Sequence, residues 1–95
     1  GRGDDEPYRV ASLAPRVGKV IRKYRKGAGL SQEALADSSG LHRTYISLVE
    51  RGQRNLSVGA LAQIAEALGT YPSRLLAEAE GDASSGATPP HRPRA

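Results

Sequence analysis

The segment SQEALADSSGLHRTYISLVERG, residues 31–52, constrains the fold of this chain more than any other. Ser31 is an N-cap residue type, and Glu33 follows in the first turn, where negative charge meets the positive end of the helix dipole. Leu35 and Ala36 supply an apolar side, and the small residues Ser38-Ser39-Gly40 interrupt the pattern. A second helical pattern begins at His42, runs to Arg51 and stops at Gly52. Two short helices joined by a glycine turn form a helix-turn-helix, the arrangement that sets a second helix into a DNA major groove.

The flanking segments supply the rest of a small all-α domain. Pro15 suits the first turn of a helix, and Val17, Val20, Ile21 and Tyr24 recur at i, i+3, i+4 and i+7. Gly27 and Gly29 are its stop. The loop Gly52-Gln53-Arg54-Asn55 leads to Ser57, a second N-cap candidate. Val58, Leu61, Ile64, Ala65 and Leu68 then mark the apolar face of a fourth helix, closed by Gly69. Pro72 opens a last short helix carrying Leu75 and Leu76. Residues 1–12 are polar and aperiodic and read as a mobile arm. Residues 81–95, GDASSGATPPHRPRA, are Gly/Ser/Pro-rich and read as a disordered tail. The expectation is a five-helix DNA-binding domain over residues 13–80, with no β pattern and no internal repeat.

Charge sharpens that reading. The net charge is +4 over 95 residues, but it is unevenly spread. Residues 9–54 hold ten Lys/Arg against Glu33, Asp37 and Glu50, a net of +7, while residues 55–80 hold Arg74 against three Glu, a net of −2. A basic half joined to an acidic half is an electrostatic footprint for a polyanion. There is no cysteine, so neither a disulfide nor a cysteine-ligated metal stabilises the domain. No apolar run approaches membrane-spanning length, and nothing reads as a signal peptide. His42 and His91 are the only histidines, and no carboxylate pair, phosphate loop or metal-ligand cluster appears, which argues against an enzyme and against a cofactor.

Projecting the third helix at about 100° per residue puts Thr44, Ser47, Leu48 and Arg51 on one side and Ile46 and Val49 on the other, toward a core. Arg43 sits at the N-terminal flank, free to reach forward. Arg pairs bidentately with guanine, Thr and Ser are compact hydrogen bonders, and Leu meets thymine methyls, so Arg43, Thr44, Ser47 and Leu48 are the candidate base readers. Gln32 starts the second helix, where backbone N–H groups attract a phosphate. Arg51, Gln53, Arg54 and Asn55 form a donor-rich loop beyond the recognition helix. Arg22, Lys23, Arg25 and Lys26 end the first helix, where cations also compensate its dipole.

The run IRKYRKGAGLSQEALADSSGLHRTYISLVERGQRNLSVGALAQIAEALG resembles the phage-repressor (Cro/cI-type, XRE) helix-turn-helix family across roughly residues 13–79. An Arg-containing first helix, GLSQEALA, SGLHRTYIS, VERG and LAQIAEALG occur in the family's order. The stretch from Gly40 to Ser57 is especially similar to restriction–modification controller proteins. The resemblance implies a lambda-repressor-like fold, with Gln32 and Asn55 on phosphates and Arg43, Thr44 and Ser47 at base-reading positions. It places Tyr45 at the groove edge, contacting backbone or bending the DNA. It makes Arg25 and Glu50 a buried pair clamping the first helix to the third, and Tyr71, Leu75 and Leu76 a dimer interface. His42 departs from the Ser or Thr N-cap of much of the family, and Leu48 replaces a residue that is often polar there.

These readings converge on a sequence-specific transcriptional regulator of bacterial or phage cytoplasm. It would bind double-stranded DNA as a homodimer on a pseudo-palindromic operator and autoregulate its own operon. It would repress by occlusion or activate by touching RNA polymerase, with no membrane and no small-molecule ligand. The alternative is an antitoxin or protein-interaction module that uses the same scaffold and binds DNA secondarily.

Overall fold

Five α-helices and no strand make up residues 10–84, the part of the chain that the computed structural model describes. They are α1 (Val10–Gly27), α2 (Gln32–Ser39), α3 (Arg43–Glu50), α4 (Val58–Ala67) and α5 (Pro72–Ser84). Ser31 and Ser57 cap α2 and α4: the Ser31 Oγ accepts from the Ala34 N–H at 3.0 Å and the Ser57 Oγ from the Ala60 N–H at 3.0 Å. At the turn between α2 and α3, Gly40 has φ +77°, a left-handed conformation that costs glycine little because it has no Cβ. The Leu41 N–H then reaches back to the Ala36 carbonyl at 3.1 Å, satisfying one of the orphan acceptors of α2.

Two helix extents differ from the sequence reading. α1 begins at Val10, so Pro15 lies inside it and not in its first turn. The apolar period of Val17 and Val20 continues back to Leu13, which packs on the core and outweighs the one helical bond that Pro15 cannot donate. α5 continues through Gly81 to Ser84, because extending an anchored helix is cheap once its nucleus exists. The remainder of the expected arm, residues 1–9, and of the expected tail, residues 85–95, lies outside the described residues.

Each helix contributes to one core. Val17, Val20 and Ile21 come from α1, Leu35 and Ala36 from α2, Ile46 and Val49 from α3, Leu61, Ile64 and Ala65 from α4, and Leu75 and Ala79 from α5. Complete burial of a side chain the size of Ile21, Leu35, Ile46, Ile64 or Leu75 stabilises the fold by about 1.5–3 kcal/mol. α1 spans the domain, packing on both α3 and α5, while α2 bridges α3 and α4.

The α1–α3 contact has three parts. Near its start, α1 passes so close to the end of α3 that a Cβ on Gly52 would lie 2.8 Å from the Pro15 Cα. At Gly18 an added Cβ would lie 2.2 Å from the Val49 carbonyl oxygen, so backbone meets backbone there. Further along, the guanidinium of Arg25 meets the carboxylate of Glu50 bidentately, Nε to Oε2 at 2.6 Å and Nη2 to Oε1 at 3.0 Å. Both residues are buried, and Arg25 Nη1 also donates to the Leu30 carbonyl at 2.8 Å. The hydrogen bonds that Arg25 donates to Glu50 hold its guanidinium above the ordinary arginine range, against the opposing effect of burial. A second polar tie joins α1 to α5: the Tyr24 hydroxyl donates to Glu78 Oε2, and Lys23 Nζ lies 3.1 Å from Glu78 Oε1.

Three expected outcomes test these contacts. Gly18→Ala forces α1 away from α3 and destabilises the domain by about 1–3 kcal/mol in urea unfolding, whereas Gly59→Ala, which meets nothing within 4 Å, is neutral or stabilises by up to about 1 kcal/mol. Arg25→Met strands a buried carboxylate and costs about 3–5 kcal/mol, most of which the double variant Arg25→Met/Glu50→Leu recovers. The Tyr24 hydroxyl, then Lys23, holds the Glu78 carboxyl below its ordinary range. Its folded pKa being depressed, its contribution is complete above the unfolded carboxylate range and fades as pH falls through that range to the lower folded value. Melting temperatures measured from neutral to acid pH should therefore fall less steeply for Glu78→Gln than for the unmodified chain.

Candidate nucleic-acid interface

α3 is only eight residues long, and its two faces are chemically distinct. Ile46 and Val49 point into the core, 0% and 1% exposed. Arg43 and Thr44 stand exposed at its N-terminal end, Ser47 and Leu48 are half-buried, and Arg51 at the C-cap is exposed, with its Nε 3.4 Å from the Ser47 carbonyl. Leu48 is not among the half-buried apolar side chains that pack on the core.

The start of α3 carries no side-chain cap. His42 has the extended backbone of an N-cap residue (φ −79°, ψ 145°) but makes no side-chain bond to the first turn. The first-turn N–H groups of α3 therefore have no acceptor from the His42 side chain, and with Arg43 exposed in the same turn this setting favours an anion. In α2 and α4 a serine cap takes one first-turn N–H each.

Gln32, the first residue of α2, turns one amide N–H onto Glu50 Oε1 at 3.1 Å. Glu50 thus binds α1 through Arg25 and α2 through Gln32 while belonging to α3. The amide keeps a second N–H and its oxygen for another partner. Gln53, Arg54 and Asn55 are exposed on the loop after α3. Arg54 and Asn55, with His42, Tyr45 and Gln63, line an open cleft between the N-terminal ends of α3 and α4. Gln63 closes one wall by donating to the Ser39 carbonyl at 2.9 Å. Tyr45 is half-buried against the core, and the Arg54 guanidinium lies over its ring, 5.6 Å from the centroid.

The expected interface residues on α5 do not share one environment. Tyr71 is 73% exposed, Leu76 is half-buried and lies along a shallow apolar groove with Leu13, Leu56 and Val58, but Leu75 is 0% exposed. Leu75 is therefore corrected from interface to core: adjacent positions on a helix point about 100° apart, so the side of α5 that buries Leu75 leaves Leu76 at the rim. Gly18 was not picked out by the sequence reading, although a lone glycine inside an apolar helical period is a signal for close packing. The tie from Gln63 to Ser39 and the pairing of Glu78 with Tyr24 carry no sequence signal, since both depend on how helices distant in sequence cross. Among the described residues no group of three or more His, Asp or Glu could hold a metal ion, and no helix is long and apolar enough to cross a membrane.

Comparison with known proteins gives this geometry its relatives. Residues 21–75 match the helix-turn-helix family. The chain is 52% identical over 56 residues to the control protein C.SmaI of Serratia marcescens, an alignment covering 59% of this chain and 67% of that one. It resembles the crystal structure of the restriction–modification controller protein C.AhdI from Aeromonas hydrophila, with a TM-score of 0.64 and 46% identity over 68% of this chain and 97% of that one. The controller protein C.Esp1396I, solved as a tetramer in complex with its natural 35 base-pair operator, superimposes with a TM-score of 0.69 and 36% identity, covering 76% of this chain and 95% of that one. With the motif, the five-helix fold and these relatives in agreement, the chain belongs to the helix-turn-helix family of the phage-repressor (XRE) type, alongside restriction–modification controller proteins.

Proposed function

We propose that this protein is a sequence-specific transcriptional regulator that binds operator DNA as a homodimer and controls its own operon. The observation that carries this reading is the uncapped, cationic start of α3, backed by a core and by the Arg25–Glu50–Gln32 network that holds its orientation. A rigid helix with an open N-terminal end is what base reading in a major groove requires. The operator complex of C.Esp1396I supports DNA as the partner.

In this reading Arg43, Thr44, Ser47 and Leu48 contact base edges. Gln32, Tyr45, Arg51, Gln53, Arg54 and Asn55 meet the sugar–phosphate backbone on either side of the groove. Tyr71 and Leu76 join a second copy, their exposed apolar surface being what a partner would cover. Two-fold symmetry sets the two α3 helices about 34–36 Å apart, on successive major grooves of a pseudo-palindromic site. Bound over a promoter the dimer occludes RNA polymerase, and bound upstream of one it contacts the enzyme. Its site of action is the bacterial cytoplasm, on the nucleoid.

Selection from a random duplex pool tests the reading directly. The expected product is a palindromic consensus with half-sites one helical turn apart, and a pool that never enriches would overturn it. On the selected duplex Arg43→Ala is expected to cost about 1–3 kcal/mol and to relax the preference at one base pair. Equal losses on selected and random duplex would remove Arg43 from the readers. Asn55→Ala should instead weaken both duplexes alike.

A further inference from the structure

Tyr45 and Arg54 belong to different parts of the chain, the middle of α3 and the loop before α4, and their side chains meet in the wall of the open cleft. A guanidinium within about 6 Å of an aromatic centroid is attracted by the negative face of the ring. The two partners are not equally mobile. Tyr45 is half-buried and seated on the core, whereas Arg54 is exposed on a loop. The ring is therefore the fixed member and the arginine the one being placed.

That asymmetry matters for an arginine that would bind phosphate. A free arginine side chain gives up about 2 kcal/mol of rotamer entropy when it is held in one geometry. Contact with an aromatic face removes part of that cost in advance while leaving the in-plane N–H donors free, because the ring engages the π-face of the guanidinium and not its edge. The cleft around Arg54 is rich in donors, with His42, Asn55 and Gln63 in its walls and the capped start of α4 at its rim. Among the described residues no carboxylate lines it.

We infer that Tyr45 is a positioning residue for Arg54: its ring is a platform that pre-orients the guanidinium toward a DNA phosphate at this cleft, and the tyrosine hydroxyl is not needed for this. The inference rests on the DNA-binding reading above and adds that the Arg54 contact exists in full only while the ring is present. Tyr45 and Arg54 then act as one unit.

The test uses the full chain, a random-sequence duplex and four variants: Arg54→Ala, Tyr45→Phe, Tyr45→Leu and the double variant Tyr45→Leu/Arg54→Ala. Affinity is measured across a salt series. Arg54→Ala is expected to lower affinity about two- to fivefold and to reduce the steepness of the salt dependence by about 0.9, the value of one neutralised phosphate. Tyr45→Phe can lose affinity through the hydroxyl's own contact with the backbone, but that contact is neutral, so the Arg54 increment of the salt slope stays. Tyr45→Leu loses the same increment of slope although Arg54 is still present, and the double variant loses no more slope than either single variant. Additive slope losses, or a Tyr45→Phe slope reduced as far as that of Tyr45→Leu, would overturn the inference. NMR on the free protein separates this result from failure of DNA binding. The Arg54 side-chain protons should show a ring-current upfield shift in the unmodified chain and in Tyr45→Phe, and lose it in Tyr45→Leu. If that shift is absent from the unmodified chain, the platform does not exist, whatever binds the cleft.

Discussion

The contact between α1 and α3 governs how this domain presents its outer surface. α3 is eight residues long, too short to hold a helical conformation alone in water. Its position comes from what lies behind it: Pro15 against Gly52, the Gly18 backbone against the Val49 carbonyl, and the bidentate pair of Arg25 with Glu50. The close approach at Gly18 brings α1 and α3 near enough for that pair to close. Glu50 then also takes the Gln32 amide, so one carboxylate sets the relative placement of three helices. Desolvating an ion pair costs several kcal/mol per ion, and its return lies as much in a defined geometry as in stability. For the DNA-binding role proposed above, geometry is the more valuable return.

The start of α3 shows the converse choice. Serine caps close α2 and α4, and such a cap is typically worth about 1 kcal/mol. α3 begins at His42 without one. The stability given up there leaves first-turn N–H groups facing outward beside Arg43, where a phosphate or a base edge can complete them. The core residues Ile46 and Val49 and the network at Glu50 offset that loss from the other face of the helix.

α5 divides its leucines in a similar way. Leu75 is fully buried in the core, and Leu76 lies at the rim of a groove shared with Leu13, Leu56 and Val58. Val58, at 83% exposed, extends the apolar surface of this groove, and Tyr71 at the start of α5 is 73% exposed. Glu78 anchors the same helix to Tyr24 and Lys23, so the side of α5 that faces α1 is specified by polar as well as apolar contacts.

Much of this was legible in the chain itself. Apolar periods of 3.6 residues, serine caps and glycine stops located all five helices, because those signals act within one or two turns of backbone. The same periodicity separated Ile46 and Val49 from Thr44 and Arg51. The family resemblance paired Arg25 with Glu50. Local pattern failed where the competition was not local. Pro15 reads as a helix start, yet the helix runs through it because the apolar stripe continues on both sides. Leu75 and Leu76 are indistinguishable by residue type, and only the crossing of α5 over α1 makes one core and the other rim. The seat of Gly18 on the α3 backbone, the turn of Gln32 toward Glu50 and the placement of Arg54 over Tyr45 arise from helices and loops meeting at particular distances and angles. The sequence by itself determined which helices form and which face of each is apolar, since both follow from short-range chemistry. Tertiary structure decided which polar groups end inside, paired and oriented, because that depends on where distant segments meet.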